Sequence, residues 1–143
     1  MANVKVKWHG EKVERMVLHG VSKNLDKAAM FWVRFAQQRL GVPNISSPGD
    51  YPGKDGGHLR KNIAWEPVSQ LVRRVGTNVE YGKFLELGTK AHKIKIKTKK
   101  MLSDGVQAFG KVVNHPGFKP RPWMRLTNNL TRTKLAKIIG RKI

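Results

Sequence analysis

Cysteine is absent from this sequence of 143 residues. Disulfide scaffolds, thiolate zinc sites and cysteine nucleophiles are therefore excluded. Long apolar runs are absent as well: the N-terminus carries none of signal-peptide length, and no stretch approaches the length of a membrane span. We therefore expect a soluble intracellular protein that has no membrane partner.

Acidic residues are scarce. Nine Asp and Glu stand against 29 Lys and Arg, which gives the chain a net charge of +20. The imbalance is strongest in residues 90–143, where Asp104 is the one acid beside 15 basic residues. Soluble domains usually carry a net charge of about 2–8 in magnitude. Because such a field attracts polyanions, the composition favours a nucleic acid or an acidic protein as partner over a merely solvated basic face.

The apolar content is sufficient for a folded core. Hydrophobic residues make up 39% of the chain and include four tryptophans and five phenylalanines, which argues against wholesale disorder. A chain of this length holds one domain comfortably and two poorly. We expect a single domain over residues 1–143, with long loops at about 42–57 and 98–118 that become ordered against partners.

Helical spacing of apolar residues predicts two principal helices. The first covers roughly residues 11–40, and Gly41 and Pro43 predict its end. The second begins at Pro122, a residue type common in the first helical turn. The apolar residues that predict the first helix are Leu18, Val21, Leu25, Ala28, Trp32 and Phe35, with Val17 and Ala36 beside them; those of the second are Trp123, Leu126, Leu130, Leu135, Ile138 and Ile139.

Shorter elements lie between these helices. Alternation of apolar and polar residues predicts strands at 4–8, 71–75 and 93–97, with a turn at 76–78. Asp55 is predicted to cap a short helix that includes Ile63, and Pro67 is predicted either to end that helix or to start a turn. Residues 81–87 form a further amphipathic turn that ends at Gly88. The sequence thus predicts an α+β fold, in which a long N-terminal helix and a C-terminal helix pack on a small, mainly antiparallel sheet.

No constellation of catalytic or metal-binding residues stands out. The five histidines and nine acids are scattered, and the His-x-x-x-His spacing of many zinc sites is absent. A glycine-rich stretch at 53–57 lacks the Gly-Lys-Ser/Thr ending of a phosphate-binding loop. We expect no enzyme, no cofactor and no metal. A small basic ribonuclease that uses His92 or His115 with Lys97 or Arg121 is the remote alternative.

Basic residues of the C-terminal third form the predicted polyanion-facing surface. Lys93, Lys95 and Lys97 share one face of a predicted strand and can contact phosphates, which gives affinity without sequence readout. No zinc finger, basic zipper or RNA-binding signature accompanies them, and a solvated strand face is an equal alternative for this lysine run. The full predicted surface comprises Lys93, Lys95, Lys97, Lys99, Lys100, Arg132, Lys134, Lys137, Arg141 and Lys142.

Two segments have the composition of packing and docking elements. Residues 80–89 form a short apolar helical turn ended by glycine, and residues 115–125 form a proline-bracketed approach to the last helix. The prolines restrict the unfolded chain, so the residues that follow are presented consistently. Glu86 is expected either to pair with a basic residue or to cap a neighbouring backbone. The predicted docking residues are Tyr81, Phe84, Leu85, Glu86, Gly88, Pro116, Gly117, Pro122 and Trp123.

The order of motifs along residues 51–126 resembles the tail-completion proteins at the neck of long-tailed bacteriophages, of the minor tail protein Z type. The resemblance rests on the ordered set and the long preceding helix, not on any one motif. The motifs are Tyr51-Pro-Gly, Gly57-His-Leu-Arg60 with Ile63, Val75-Gly-Thr-Asn-Val-Glu-Tyr81, Leu85-Glu-Leu-Gly-Thr89, His92-Lys-Ile, and His115-Pro-Gly followed by Arg121-Pro-Trp-Met124.

The resemblance implies a non-enzymatic virion component of the head–tail connection or upper tail. Such a protein is present in the host cytoplasm during assembly and then works in a homo-oligomeric ring, for which a hexamer is one option. Its implied partners are neighbouring neck or tail-tube proteins around the DNA passage.

The family resemblance does not explain the high positive charge of the chain. Six copies at +20 each would carry +120, which a ring tolerates only when it is neutralised. We therefore expect the basic face either to line the DNA path, in non-specific contact with DNA, or to meet an acidic neighbouring ring. A basic nucleic-acid-binding protein without sequence specificity is the alternative function.

Overall fold

The computed structural model describes residues 7, 9–41, 47–53, 57–95, 102–103, 108–110 and 112–141. The described helices are α1 (Gly10–Arg39), α2 (His58–Lys61), α3 (Tyr81–Leu87) and α4 (Trp123–Ile139). The described strands are β1 (Ile63–Ser69), β2 (Val72–Thr77), β3 (His92–Lys95), β4 (Leu102–Ser103), β5 (Ala108–Gly110) and β6 (Val112–His115). The strands pair antiparallel as β1–β2, β3–β6 and β4–β5. The predicted α+β class, with long N-terminal and C-terminal helices, is confirmed.

The two principal helices pack antiparallel. Near the start of α4, the indole N–H of Trp32 donates to the side-chain oxygen of Asn128 at 2.7 Å. Near the end of α4, the side-chain amide of Asn24 donates to the backbone carbonyls of Ile139 and Arg141 at 3.3 and 3.0 Å. The core between these ends and the first hairpin consists of Trp32, Val33, Ala36, Leu40, Leu59, Ile63, Val79 and Trp123.

The buried side of α4 does not include all the apolar residues whose spacing predicts this helix. Leu130 is 55% exposed and Ile139 is also exposed. The buried positions are Trp123, Thr127 and Thr131, spaced by four residues. Each threonine hydroxyl donates to the carbonyl four residues earlier, at 2.7 Å. Because their hydroxyls are satisfied within the helix, the threonines can be buried at no hydrogen-bonding cost.

The segment after α2 is a strand, where the sequence predicted a continuing helix. Helix α2 is a single turn preceded by Gly57, and Ile63 begins β1. Pro67 lies inside β1, where the register with β2 shifts between Pro67 and Ser69. A proline is tolerated there because a two-stranded hairpin has open edges, on which its missing N–H removes no ladder bond. The turn predicted at 76–78 is also corrected, since β2 continues through Gly76 and Thr77.

The β1–β2 hairpin is fixed to α1 by one arginine. The guanidinium of Arg73 binds the carboxylate of Asp26 and the hydroxyl of Ser22, and its other nitrogen donates to the carbonyl of Ser69 at 2.7 Å. This ion pair is largely shielded from water on the arginine side. It therefore holds the hairpin turn at the level of residues 22–26 of the long helix.

Several predicted features fall on the undescribed part of the chain. These are the strand at 4–8 apart from Lys7, the Asp55 cap, and the last two residues of the strand at 93–97. The range predicted as a long loop, 98–118, contains the strands β4, β5 and β6. Strand β6 pairs with β3 over its whole length, His92 lying opposite His115 and Lys95 opposite Val112.

Candidate docking site and basic surface

The two predicted docking segments are in direct contact. Thr89 and Phe118 exchange two backbone hydrogen bonds, at 3.0 and 3.1 Å. The backbone N–H of Arg121 donates to the carbonyl of Leu85 at 2.7 Å, and the indole N–H of Trp123 donates to the carbonyl of Gly82 at 3.2 Å. We call residues 81–89 together with 115–125 the junction, because they join α3 to the start of α4.

Glu86 caps α4 from outside that helix. Its two carboxylate oxygens accept the backbone N–H groups of Met124 and Arg125, at 2.8 and 3.1 Å. Pro122, the residue that precedes α4, offers no side-chain cap. A carboxylate is well suited to this place, because the first turn of a helix has unpaired N–H groups and a partial positive charge. The expectation that Glu86 caps a neighbouring backbone is confirmed.

Two glycines allow the junction to close. Gly88 and Gly117 have φ angles of 73° and 79°, in the left-handed region that favours glycine. A Cβ atom on Gly88 would lie 2.7 Å from the carbonyl oxygen of Phe118, and one on Gly117 would overlap the carbonyl oxygen of Thr89. Both glycines therefore serve an internal turn and an internal close approach.

The predicted docking residues divide into internal and surface positions. Pro122 and Trp123 are buried, and Trp123 is only 1% exposed, with its ring 6.4 Å from that of Trp32. Leu85, Glu86 and Gly117 are half-buried within the junction, as is Gly88. The surface positions are Tyr81, Phe84 and Pro116.

One surface residue was missed by the sequence analysis. Leu87 is 71% exposed and lies three residues after Phe84 on α3. Its signal in the sequence is this helical spacing. We call Tyr81, Phe84 and Leu87 the α3 surface. An open groove of about 400 Å³ runs beside it, lined by residues 76–80, by α3 residues and by Trp123 and Met124.

The basic surface is only partly within the described chain. Lys93 and Lys95 are exposed on the same face of β3, as predicted from their alternation. On α4 the basic residues Arg132, Lys134 and Lys137, and Arg141 just beyond its end, are exposed. Lys97, Lys99, Lys100 and Lys142 lie outside the described residues.

His92 and His115 lie opposite each other at one end of the β3–β6 pair. Their rings are stacked, with centroids 5.0 Å apart. The Nδ1 atom of His115 accepts the backbone N–H of Gly117 at 3.0 Å. The Nδ1 atom of His92 lies 2.9 Å from the carbonyl oxygen of Lys90, so it must carry the proton of that hydrogen bond. The ring nitrogens nearest the backbone therefore hold the local turn at residues 115–117 and the entry to β3.

In the part of the chain that the structure describes, no group of three or more histidine or acidic side chains is placed to hold a metal ion. No described helix is long and apolar enough to cross a membrane.

Comparison with known proteins finds no relative: no family model, no curated protein and no solved structure matches the chain.

Proposed function

We propose that this chain is a structural protein of the neck or upper tail of a long-tailed bacteriophage, where it completes the tail and joins it to the head around the DNA passage. The observation that carries the proposal is the junction. Segments 80–89 and 115–125, which contain several of the motifs in the family resemblance, pack on each other through backbone hydrogen bonds and the cap by Glu86. The glycines, proline and glutamate of these segments therefore all contribute to the contact between them.

The outer side of the junction supplies a docking surface for a neck or tail-tube protein. Tyr81, Phe84 and Leu87 expose apolar area on α3, and Leu87 also lines an open groove. Apolar residues around a groove are typical of the centre of a protein–protein interface. The proposed role needs no catalytic group, cofactor or metal, because its work is to hold neighbouring subunits in register.

The basic surface is assigned to the DNA passage or to an acidic neighbouring ring. The exposed lysines of β3 and the exposed cations of α4 carry no base-reading motif. Phosphate contacts of this kind give affinity that falls steeply with salt and does not depend on sequence. This fits a subunit past which DNA of any sequence must move.

The proposal is tested by removing the gene from a phage that carries it and examining the particles. We expect full heads and separate tails that do not join, with infectivity restored by the wild-type gene. Phe84→Asp with Leu87→Asp should fail to restore joining, whereas Leu130→Asp, at an exposed leucine of α4, should restore it. Joined, infectious particles in the absence of the gene would overturn the proposal.

A nucleic-acid-binding protein without sequence specificity is the second candidate. It is favoured by the exposure of Lys93 and Lys95 on one strand face and by the +20 charge. Sedimentation with duplex DNA at low and high salt tests it. Binding that depends on salt, with no effect of gene loss on particle joining, would favour this candidate over the neck protein. The absence of DNA binding at low salt would exclude this candidate and would indicate that the basic surface binds an acidic protein.

A further inference from the structure

Helix α1 extends well beyond the described elements that pack on it. It has 30 residues, or about 45 Å at 1.5 Å per residue. Its partner α4 ends at the level of Asn24, and the hairpin turn is held at Ser22 and Asp26. None of residues 10–21 is buried. We call these residues the arm; they extend about 18 Å along the helix axis beyond the last fixed point.

The arm carries an apolar side that the rest of the described chain leaves open. Val13, Met16 and Val17 are 53%, 62% and 46% exposed. Val17 precedes Asn24 by seven residues, which is about two helical turns, so both lie on the same side of α1. Asn24 is covered by the end of α4. The apolar side of the arm is therefore the continuation of the side that α4 covers, past the point where α4 stops.

A second apolar surface lies at the turn of the β1–β2 hairpin. Val68, Leu71 and Val72 are 49%, 48% and 50% exposed. We call residues 68–72 the tip. Because the tip is held at Ser22 and Asp26, it meets α1 roughly half a turn around the helix from Val13 and Val17. The arm's apolar side and the tip therefore face away from each other.

Both surfaces are free of the positive charge that dominates the chain. The arm balances two acids, Glu11 and Glu14, against two bases, Lys12 and Arg15. The tip is uncharged, and the two arginines that follow it are paired: Arg73 with Asp26, and Arg74 with Glu66 at 3.0 Å.

This charge balance decides which partner fits. The arm has no net charge and the tip has no charged residue, so neither surface attracts a polyanion or an acidic protein. Two copies of a +20 chain repel each other, but the end of the arm stands about 18 Å from the body, roughly two Debye lengths at physiological ionic strength. A second copy can therefore approach these neutral, apolar surfaces more closely than any basic face.

We propose that the arm of one copy packs on the tip of a second copy. Since the two surfaces are different and face apart, the contact is head-to-tail, and its repetition gives a closed ring or a filament. The inference deepens the proposed assembly function and rests on that part of it which requires copies of this chain to associate. It assigns the contact between copies, whereas the α3 surface is left for a different protein.

The first test is sedimentation of the full chain at about 0.15 M and about 1 M salt, where the Debye length is about 8 Å and about 3 Å. We expect assemblies larger than a monomer that grow with protein concentration and are strengthened by salt, because salt screens the repulsion between copies. Salt has the opposite effect on DNA binding, which it weakens. A chain that stays monomeric at every concentration and salt would overturn the inference.

The second test uses matched variants. The arm variant is Val13→Ser with Val17→Ser, and the tip variant is Val68→Ser with Leu71→Ser. Each should raise the dissociation constant for association between copies by about tenfold or more, because each removes apolar contact area. The control is Leu130→Ser, which removes an equally exposed leucine from α4 and should associate like the wild type. Unchanged circular dichroism and melting would show that every variant is folded.

Mixing the variants identifies the direction of the contact. An arm variant retains its tip and a tip variant retains its arm, so an equimolar mixture has one intact contact per pair and should stop at a dimer. A two-fold arm-to-arm contact predicts instead that the tip variant associates like the wild type, which would overturn the inference. If wild-type copies assemble but the variants do not weaken assembly, the arm–tip contact fails while the neck function, tested by particle joining, still stands.

Discussion

The junction and the arm differ in how many of their residues are engaged inside the subunit. The junction carries the most conspicuous residues of the chain and is predicted to be a docking element, yet its Trp123, Gly88, Gly117 and Glu86 are engaged inside the subunit. The arm is predicted only as the first turns of a long helix, yet it is the part of α1 that none of the described elements covers. The residues with special backbone geometry therefore stabilise the inside of the subunit, whereas a regular stretch of helix carries an open apolar surface.

The largest expected effect contrasts the centre of the junction with the arm. Trp123→Ala should lower the free energy of unfolding by about 3–5 kcal/mol, because it leaves a cavity beside Trp32 and removes the hydrogen bond to the carbonyl of Gly82. Val17→Ala should change it by less than about 0.5 kcal/mol, as is usual for exposed positions. Urea denaturation measures both. Similar losses for the two variants would erase the contrast between buried junction and open arm.

The next effect separates two costs to the free energy of unfolding: the cost of a left-handed backbone conformation and the cost of a steric clash. Gly88→Ala should cost more than about 2 kcal/mol, since it adds a clash with Phe118 and Pro120 to the strain of a positive φ. Gly49→Ala is the matched control: its φ is 89° but a Cβ there meets nothing within 4 Å, so only the conformational cost of about 1–2 kcal/mol applies. Denaturation of the two variants should differ clearly. Equal costs would mean that junction packing adds nothing.

A smaller effect tests the cap of α4. Glu86→Gln removes the negative charge and one of the two acceptors for the N–H groups of Met124 and Arg125. We expect a loss of about 1 kcal/mol in the free energy of unfolding. Glu80→Gln, on the exposed residue before α3, should stay within about 0.5 kcal/mol. A loss in the control as large as that in Glu86→Gln would assign the effect to net charge.

The smallest expected effect concerns pH. Burial raises the pKa of the Tyr51 hydroxyl, which lies 3.0 Å from the hydroxyl oxygen of Thr127. Because the Thr127 hydroxyl donates to the carbonyl of Trp123, the neutral Tyr51 is the donor in this pair. The contact with Thr127 acts to lower the pKa of Tyr51, but the effect of burial is larger. The neutral form is therefore favoured in the folded chain, and its stabilising contribution is lost as pH rises above the ordinary tyrosine pKa.

Melting temperatures of the wild type and Tyr51→Phe, measured from about pH 8 to about pH 11, span the ordinary tyrosine pKa near 10. The wild type should lose stability more steeply at the alkaline end, because only it carries the buried hydroxyl. A parallel decline of both proteins would show that Tyr51 is not responsible and that the ionisation of other groups dominates in this range.

Local patterns predicted the elements that are long or sharply ended. Helix α1 appeared within one residue of the predicted bounds at each end, because its apolar spacing is regular and Gly41 stops it. Helix α3 and its end at Gly88 were predicted for the same reason. The capping role of Glu86 was one of two open alternatives, since a carboxylate near a helix start can pair with a side chain or with backbone N–H groups.

Local sequence patterns gave the wrong structure where contacts between residues far apart in the sequence decided between two locally compatible conformations. Leu59 and Ile63 have helical spacing, but Ile63 is buried as the first residue of a hairpin that packs on α1. The two buried threonines of α4 were missed because a hydroxyl satisfied by its own helix cannot be recognised before the helix is known.

The sequence by itself determined the helical periods, the glycine turns, the absence of cysteine chemistry and the positive charge of the C-terminal third, because each of these depends on neighbouring residues or on composition alone. The tertiary structure alone decided which apolar side is covered and which is open. The end of α4 at Asn24 and the Arg73 contact with Asp26 set the point beyond which none of the described elements covers α1. Those contacts join residues 47 to 117 positions apart, a distance over which no local pattern carries information.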